Sequence, residues 1–214
     1  MKPERVIEAS PATVRREARK AQRRADIVDA ALRVFSRDGF AGSKIDAVAD
    51  EAGISKGTLY LYFESKEELF KAMVIDKMLP VFDEAEALSV QLTDSAEERT
   101  RVLIRFFYQK VLNSDRRHIM RLILAEGPNF PELTAFYHQN ILSRGEAMVQ
   151  SVLDYGMERG EFRTVTGHGL LKNVMAGAIA ASMWKIVFDA HQPIDLDAYC
   201  ETHIDLLLGG LRAG

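Results

Sequence analysis

The sequence predicts an all-α chain, with a three-helix helix-turn-helix domain at its N-terminus and a larger C-terminal helical bundle behind it. Three observations carry this reading. Apolar residues recur at helical spacing through most of the 214 residues, as amphipathic helices require. Alternating apolar and polar runs, the mark of strands, are scarce. Serine, glycine and proline stand where helices start and stop.

Ser10-Pro11 reads as an N-cap followed by proline at the first helical position. The helix runs to Arg37, with Ile27, Ala31, Val34 and Phe35 on one apolar face from Gln22 onward, and Asp38-Gly39 ends it. Ser43 to Ala52 is a second helix closed by Gly53, and Ser55 to Phe63 a third. Ser65 opens a fourth that reaches Lys77 or Met78, where Pro80 intervenes. Further helices are expected at 81–91, 96–113, 115–126, 131–159, 167–190 and 195–212, with corners at Gly127-Pro128-Asn129-Phe130-Pro131 and His191-Gln192-Pro193. The expected domains are a basic extension at 1–21, the helix-turn-helix domain at 22–78 and a second helical domain at 79–214.

The composition, 47% hydrophobic and 28% charged, suits a buried core with a soluble surface. No apolar run is read as approaching the roughly 18 residues that cross a bilayer. The basic N-terminus lacks the apolar region of a secretory signal. A cytoplasmic chain with no membrane partner is expected. Cys200 is the single cysteine, so no disulfide forms within the chain. Net charge is −3, but residues 1–24 hold eight Lys/Arg against three Glu. That distribution, more than the total, bears on nucleic acid. The segment 15–24 reads either as a solvated helix end or as a contact to phosphate or a minor groove.

The joint between helices two and three carries the chemistry. Ala49 is small enough for the helices to approach, Gly53 can adopt positive φ in the turn, and Ile54 and Leu59 can plug the seam. Three helices open with Ser-Lys: Ser43-Lys44, Ser55-Lys56 and Ser65-Lys66. Each serine is a good N-cap, and Asp46 and Glu68 would complete capping boxes. A lysine in the first turn opposes the helix dipole by about 0.3–1 kcal/mol. Three of them suggest compensation by an external anion, with Ser43, Lys44, Ser55, Lys56 and Lys66 as phosphate ligands. Between the lysines lies Gly57-Thr58-Leu59-Tyr60-Leu61-Tyr62-Phe63. Leu59 and Phe63 should face the core, which leaves Thr58, Tyr60 and Tyr62 to reach a DNA groove beside a bare Gly57 backbone. Either tyrosine could instead be a core aromatic.

The stretch over residues 24–74, above all AGISKGTLYLYFESKEEL, resembles the DNA-binding domain of the tetracycline-repressor-like (TetR/AcrR) regulators. The GPNFPEL segment is similar to the second domain of an AcrR-like subgroup. The resemblance implies a homodimeric, ligand-responsive repressor of a near-palindromic double-stranded DNA operator, with no cofactor. By position, Lys56, Gly57, Thr58, Tyr60 and Tyr62 correspond to the recognition helix, and Lys66 to a phosphate contact at the start of the fourth helix. Family members commonly carry Thr or Ser where this chain has Lys44, with Ser43 just before it.

The C-terminal domain offers two long apolar helices. Leu170, Leu171, Val174, Ala178, Ala181 and Met183 line one, and Ile204, Leu207, Leu208 and Leu211 the other. Small residues between Ala176 and Ser182 would allow close packing, within the chain or in a four-helix dimer interface. A pocket for a hydrophobic small-molecule effector would draw on interior aromatics and a few polar groups, the candidates being Phe107, His118, Arg121, Leu122, Tyr137, Trp184 and Phe188. Against an enzyme, the sequence shows no paired Glu-x-x-His, P-loop or nucleophile elbow. Asp115 with His118, or Cys200 with His203, are too few for a metal site. A helical ligand- or partner-binding protein without DNA function is the alternative.

Overall fold

A computed structural model describes residues 10–91, 95–165 and 169–213. The chain divides into two compact units, Met1–Met73 and Val74–Gly214. Among the described residues all regular structure is helical, apart from an isolated bridge between Phe162 and Arg212.

The first unit is built by α1 (Pro11–Asp38), α2 (Ile45–Glu51), α3 (Lys56–Tyr60) and the start of α4 (Lys66–Gln91). Ser10 caps α1 by accepting the Thr13 N–H, and the Gly39 N–H closes it on the Phe35 carbonyl. Ile27, Ala31, Val34 and Phe35 are fully buried, the face expected from their spacing. The centre is aromatic. Phe35, Phe40 and Phe70 meet with ring centroids 5.2–6.0 Å apart, so three separate segments share one contact point. Val48, Leu59 and Phe63 fill the space beneath the helix-turn-helix.

Pro80 does not end α4; it lies inside the helix. Proline removes one backbone donor and disturbs the preceding turn. Pro80 is exposed, and Arg116 Nε donates at 2.8 Å to the Lys77 carbonyl in that turn. Arg116 thus supplies an outside donor to the turn that the proline disturbs, and the helix continues through it.

The second unit adds α5 (Ala96–Phe107), α6 (Arg117–Glu126), α7 (Pro131–Tyr137), α8 (Ser143–Glu158), α9 (Leu170–Val187) and α10 (Leu196–Leu211). A π-helical turn at Tyr108–Leu112 extends α5, and another at His138–Leu142 joins α7 to α8. The Glu161 carboxylate caps α5, accepting the Ala96 N–H at 2.7 Å and the Ser95 hydroxyl at 3.1 Å. Arg105 clasps Glu201 of α10 through two bonds of 2.6 and 2.7 Å. Glu97 receives Arg212 and Arg101, which hold its carboxyl down at about 2.

α9 corrects the reading of the apolar runs. Its 18 residues have a mean hydropathy of 1.3 and are long and apolar enough to cross a membrane, by length and composition alone. Lys172 and Lys185 interrupt the run without lowering its average below that of a spanning helix. Within the unit, Val174, Ala178, Ala181 and Ser182 are buried against neighbouring helices.

α9 and α10 cross closely at Gly177. A Cβ there would lie 2.5 Å from the His203 ring, and that ring is tied through Nδ1 to the Tyr108 hydroxyl at 3.1 Å. With the ring unable to withdraw, Gly177→Ala is expected to destabilise the unit by about 1–3 kcal/mol. A shift of the urea midpoint reads this directly; an unchanged midpoint would mean that the two helices separate at little cost.

Candidate nucleic-acid interface

The helix-turn-helix is assembled from local hydrogen bonds around one permissive residue. Gly53 sits at φ 65°, where a side chain is disfavoured. Its N–H returns to the Asp50 carbonyl, and the Ile54 N–H to that of Ala49, both near 3.0 Å. Ser55 then caps α3, its Oγ accepting the Thr58 N–H at 3.1 Å and meeting the Thr58 hydroxyl at 2.8 Å. Leu59 plugs the seam, fully buried.

This leaves an outward face. Gly57 is exposed, and a Cβ added to it would meet nothing nearer than the Ser55 Oγ at 3.9 Å. Tyr60 is 44% exposed and Tyr62 half-buried. The residue that spacing alone did not single out is Leu61, 82% exposed at the C-cap of α3. Its signal was present in the sequence: Leu59 and Phe63 occupy the core face, and Leu61 lies between them. An apolar side chain held in water beside Tyr60 is suited to thymine methyl groups.

The three Ser-Lys pairs differ from one another. At the first, α2 begins at Ile45, so Lys44 rather than Ser43 is the N-cap, and no side chain caps it. Ser43 is buried, its hydroxyl donating to the Phe40 carbonyl at 2.9 Å. That bond satisfies the serine inside the α1–α2 turn and removes it from the helix end. Asp46 closes no capping box. It faces Lys56, with carboxylate oxygens 2.7 and 3.0 Å from Nζ, and this carboxylate raises the Lys56 pKa.

Lys66 turns back over the Phe40 ring, 4.5 Å from its centroid. Its ammonium donates to the carbonyls of Phe40 at 2.7 Å, Ser43 at 3.1 Å and Ala41 at 3.5 Å. At the start of α4, Ser65 Oγ accepts the Glu68 N–H, and the Glu68 carboxylate accepts the N–H of Glu64 rather than that of Ser65. The chain itself therefore supplies anionic or carbonyl oxygen to Lys56 and Lys66, and an external anion is not needed to explain them. Lys44 remains exposed.

Of the effector candidates, Leu122 and Tyr137 lie inside the second unit, and burial pushes the Tyr137 hydroxyl up to about 12. His118 and Arg121, both on α6, are half-buried, as is Phe107 at the end of α5. Burial, then Arg117 and Arg121, lower the His118 pKa. Trp184 and Phe188 are not interior. They are 37% and 47% exposed on α9, and the Trp184 indole donates to the Gln192 carbonyl. α9 is apolar on every side, so its periodicity could not separate inward from outward positions.

Residues 27–73 match the family model described as bacterial regulatory proteins, tetR family. Residues 98–194 match that of the AefR-like transcriptional repressor, C-terminal domain. The HTH-type transcriptional repressor NicS of Pseudomonas putida KT2440 is 33% identical over 151 residues, spanning 68% of this chain and 69% of that protein. The fatty acid metabolism regulator protein of Bacillus subtilis strain 168 is 24% identical over 186 residues, 87% of this chain and 94% of that one. The fatty acid degradation regulator FadR from Bacillus halodurans shares the fold with a TM-score of 0.76 at 24% identity, over 88% of this chain and 99% of that one. The chain belongs to the TetR family of bacterial regulatory proteins and is a DNA-binding transcription regulator, not an enzyme.

Proposed function

We propose that this regulator is a cytoplasmic, ligand-responsive repressor that binds a near-palindromic operator as a homodimer. Residues 22–78 take the DNA and residues 79–214 the effector and the second subunit. The observation that carries the DNA contact is the outward face of α3. Gly57, Thr58, Tyr60 and Leu61 stand together on a helix whose other face is anchored by Leu59. Tyr62 and Lys44 extend this face, and Lys56 exchanges Asp46 for a phosphate when DNA arrives. Ser55 positions Thr58. Ser43 and Lys66 act indirectly, by holding the α1–α2 turn.

Gly57 provides the test. The fold leaves room for a methyl group there, so only an external surface would demand its absence. Gly57→Ala is expected to leave thermal unfolding unchanged or raise it slightly, as alanine favours a helix by up to about 1 kcal/mol, and to weaken binding to selected operator DNA by about tenfold or more, a loss equivalent to roughly one base contact. Anisotropy titration against operator and scrambled duplexes measures it; undiminished operator preference would remove α3 as the reading element.

The effector reading rests on the second unit. α6 packs on α9, and each carries a buried polar atom without a hydrogen-bond partner among the described residues, His118 Nδ1 and Ser182 Oγ. Such atoms are costly unless something completes them. A mainly apolar effector with one polar end would complete those two atoms, with Leu122, Tyr137, Phe107 and Arg121 as the further candidates on the neighbouring helices. The relatives named for fatty acid metabolism and degradation are consistent with that chemistry.

A further inference from the structure

We propose that the N-terminal part of α1 is a second DNA-binding element, with Arg16, Arg19, Lys20 and Arg23 gripping the sugar-phosphate backbone beside the contact made by α3. The inference rests on the chain being a DNA-binding regulator and adds a surface that this reading does not require.

α1 is one continuous helix from Pro11 to Asp38. Its lower half is the buried wall of the first unit, whereas from Ala12 to Gln22 every described residue is exposed. The upper half thus overhangs the packed core. Its stability owes nothing to burial, so the side chains it displays face solvent or a partner.

The display is directional. At 100° per residue, Arg16, Lys20 and Arg23 follow the i, i+4, i+7 pattern of one face, and Arg19 lies beside them. Continued downward, that face arrives at Ile27 and Val34, both fully buried. The stripe that packs against the helix-turn-helix below therefore becomes cationic above, on the same side of the helix. The cations overhang whatever the helix-turn-helix rests upon.

The surface is also shaped. Arg16, Arg19, Lys20 and Arg23 line an open groove of about 640 Å³ whose opposite wall includes Tyr62, just beyond the end of α3. Arg15 and Ala12 continue it by a second depression of about 320 Å³, which shares Arg16 and Arg19. One carboxylate, Asp26, lies in the groove, and it accepts from Gln22 Nε2 at 2.9 Å. Like charges at helical spacing repel, and a polyanion laid along them relieves that repulsion.

The geometry suits a nucleic-acid strand better than a single ion. From Arg16 to Arg23 the helix rises about 10 Å, far longer than one ion, and the long side chains along it extend that reach over neighbouring phosphates of one strand. Tyr62, shared between this groove and the outward end of α3, places the strand close to the reading element. Contacts of this kind position a protein without reading sequence.

The test compares the wild type with the full-length quadruple variant R16A/R19A/K20A/R23A. The probes are duplexes selected by the wild type from a random-sequence pool and scrambled duplexes of the same length, titrated at several salt concentrations. All four positions are exposed, and circular dichroism and sedimentation check that fold and assembly persist. The variant is expected to bind both duplex types more weakly, on the order of ten- to a hundredfold at low salt. The slope of log affinity against log salt should fall by about 2–3 for each subunit on the DNA. Operator preference should stay as it was, and R16K/R19K/R23K should retain the wild-type slope. An unaltered slope in the quadruple variant, with the wild type binding its selected duplex, overturns this proposal alone and turns the stripe toward another polyanion. A wild type that selects no DNA overturns the regulator reading and this proposal together.

Discussion

Met183→Glu combined with Val187→Glu is expected to turn the protein into a monomer and to cost operator affinity at least a hundredfold. The two residues are one turn apart on α9 and are 48% and 56% exposed. Ile179 precedes them on the same face, and Trp184 and Phe188 flank it, all of them exposed. Leu206 on α10 is 75% exposed, with Gly209 and Gly210 open to the same solvent. Exposed apolar residues grouped in this way on α9 mark an interaction surface. Small residues such as Ala176 and Ala180 allow a second helix to come close.

A second copy of the chain is the partner that the family supplies, and a two-fold interface would place each α9 and α10 against their own counterparts. Two glutamates per subunit would then bring four carboxylates into the interface, at several kcal/mol for each one buried unpaired. The dimer constant should weaken by more than a thousandfold. DNA affinity follows because the second half-site would no longer be bound at high effective concentration. Sedimentation should show the mass falling to that of one 24.0 kDa chain. If the doubly substituted protein still sediments as a dimer, α9 is not the interface and another partner covers it.

The parts of this molecule that the sequence made legible are those fixed by local chemistry. Gly53, Ser55 and Leu59 announce the helix-turn-helix because each does a job that few residues can do: a left-handed turn, a cap and a plug. α1 was legible from cap to terminus, for Ser10-Pro11 and Gly39 act within one turn of themselves. What stayed hidden depended on residues distant in the chain. Pro80 reads as a helix end, yet α4 runs through it, with Arg116 from a distant segment donating to the Lys77 carbonyl in the preceding turn. Ser43 reads as a cap until the Phe40 carbonyl is seen to claim its hydroxyl. The π-helical turn at Tyr108–Leu112 has no evident sequence mark, and in it the Tyr108 hydroxyl meets His203 of α10. Trp184 and Phe188 were placed inside because an apolar helix gives no indication of which side will be covered.

Lys66 is the residue whose place in the sequence and place in the fold differ most. At the head of α4 it resembles a phosphate ligand, yet its ammonium spends its hydrogen bonds on the carbonyls of Phe40 and Ser43 and lies over the Phe40 ring. Those carbonyls belong to the turn that aims α2, so the lysine ties the entry of the helix-turn-helix to α4. Replacing it by methionine keeps an unbranched chain of similar length and removes the charge. Lys66→Met should then cost about 2–3 kcal/mol of stability, the range for charge-assisted bonds whose acceptors are left partly buried. A phosphate ligand would behave otherwise. Its loss would spare stability and lower the salt slope of DNA binding by about 1 for each contact removed. The two roles thus separate on two axes, a denaturation midpoint and a salt titration. A lower midpoint with an unchanged slope identifies the clamp; an unchanged midpoint with a shallower slope returns Lys66 to the DNA.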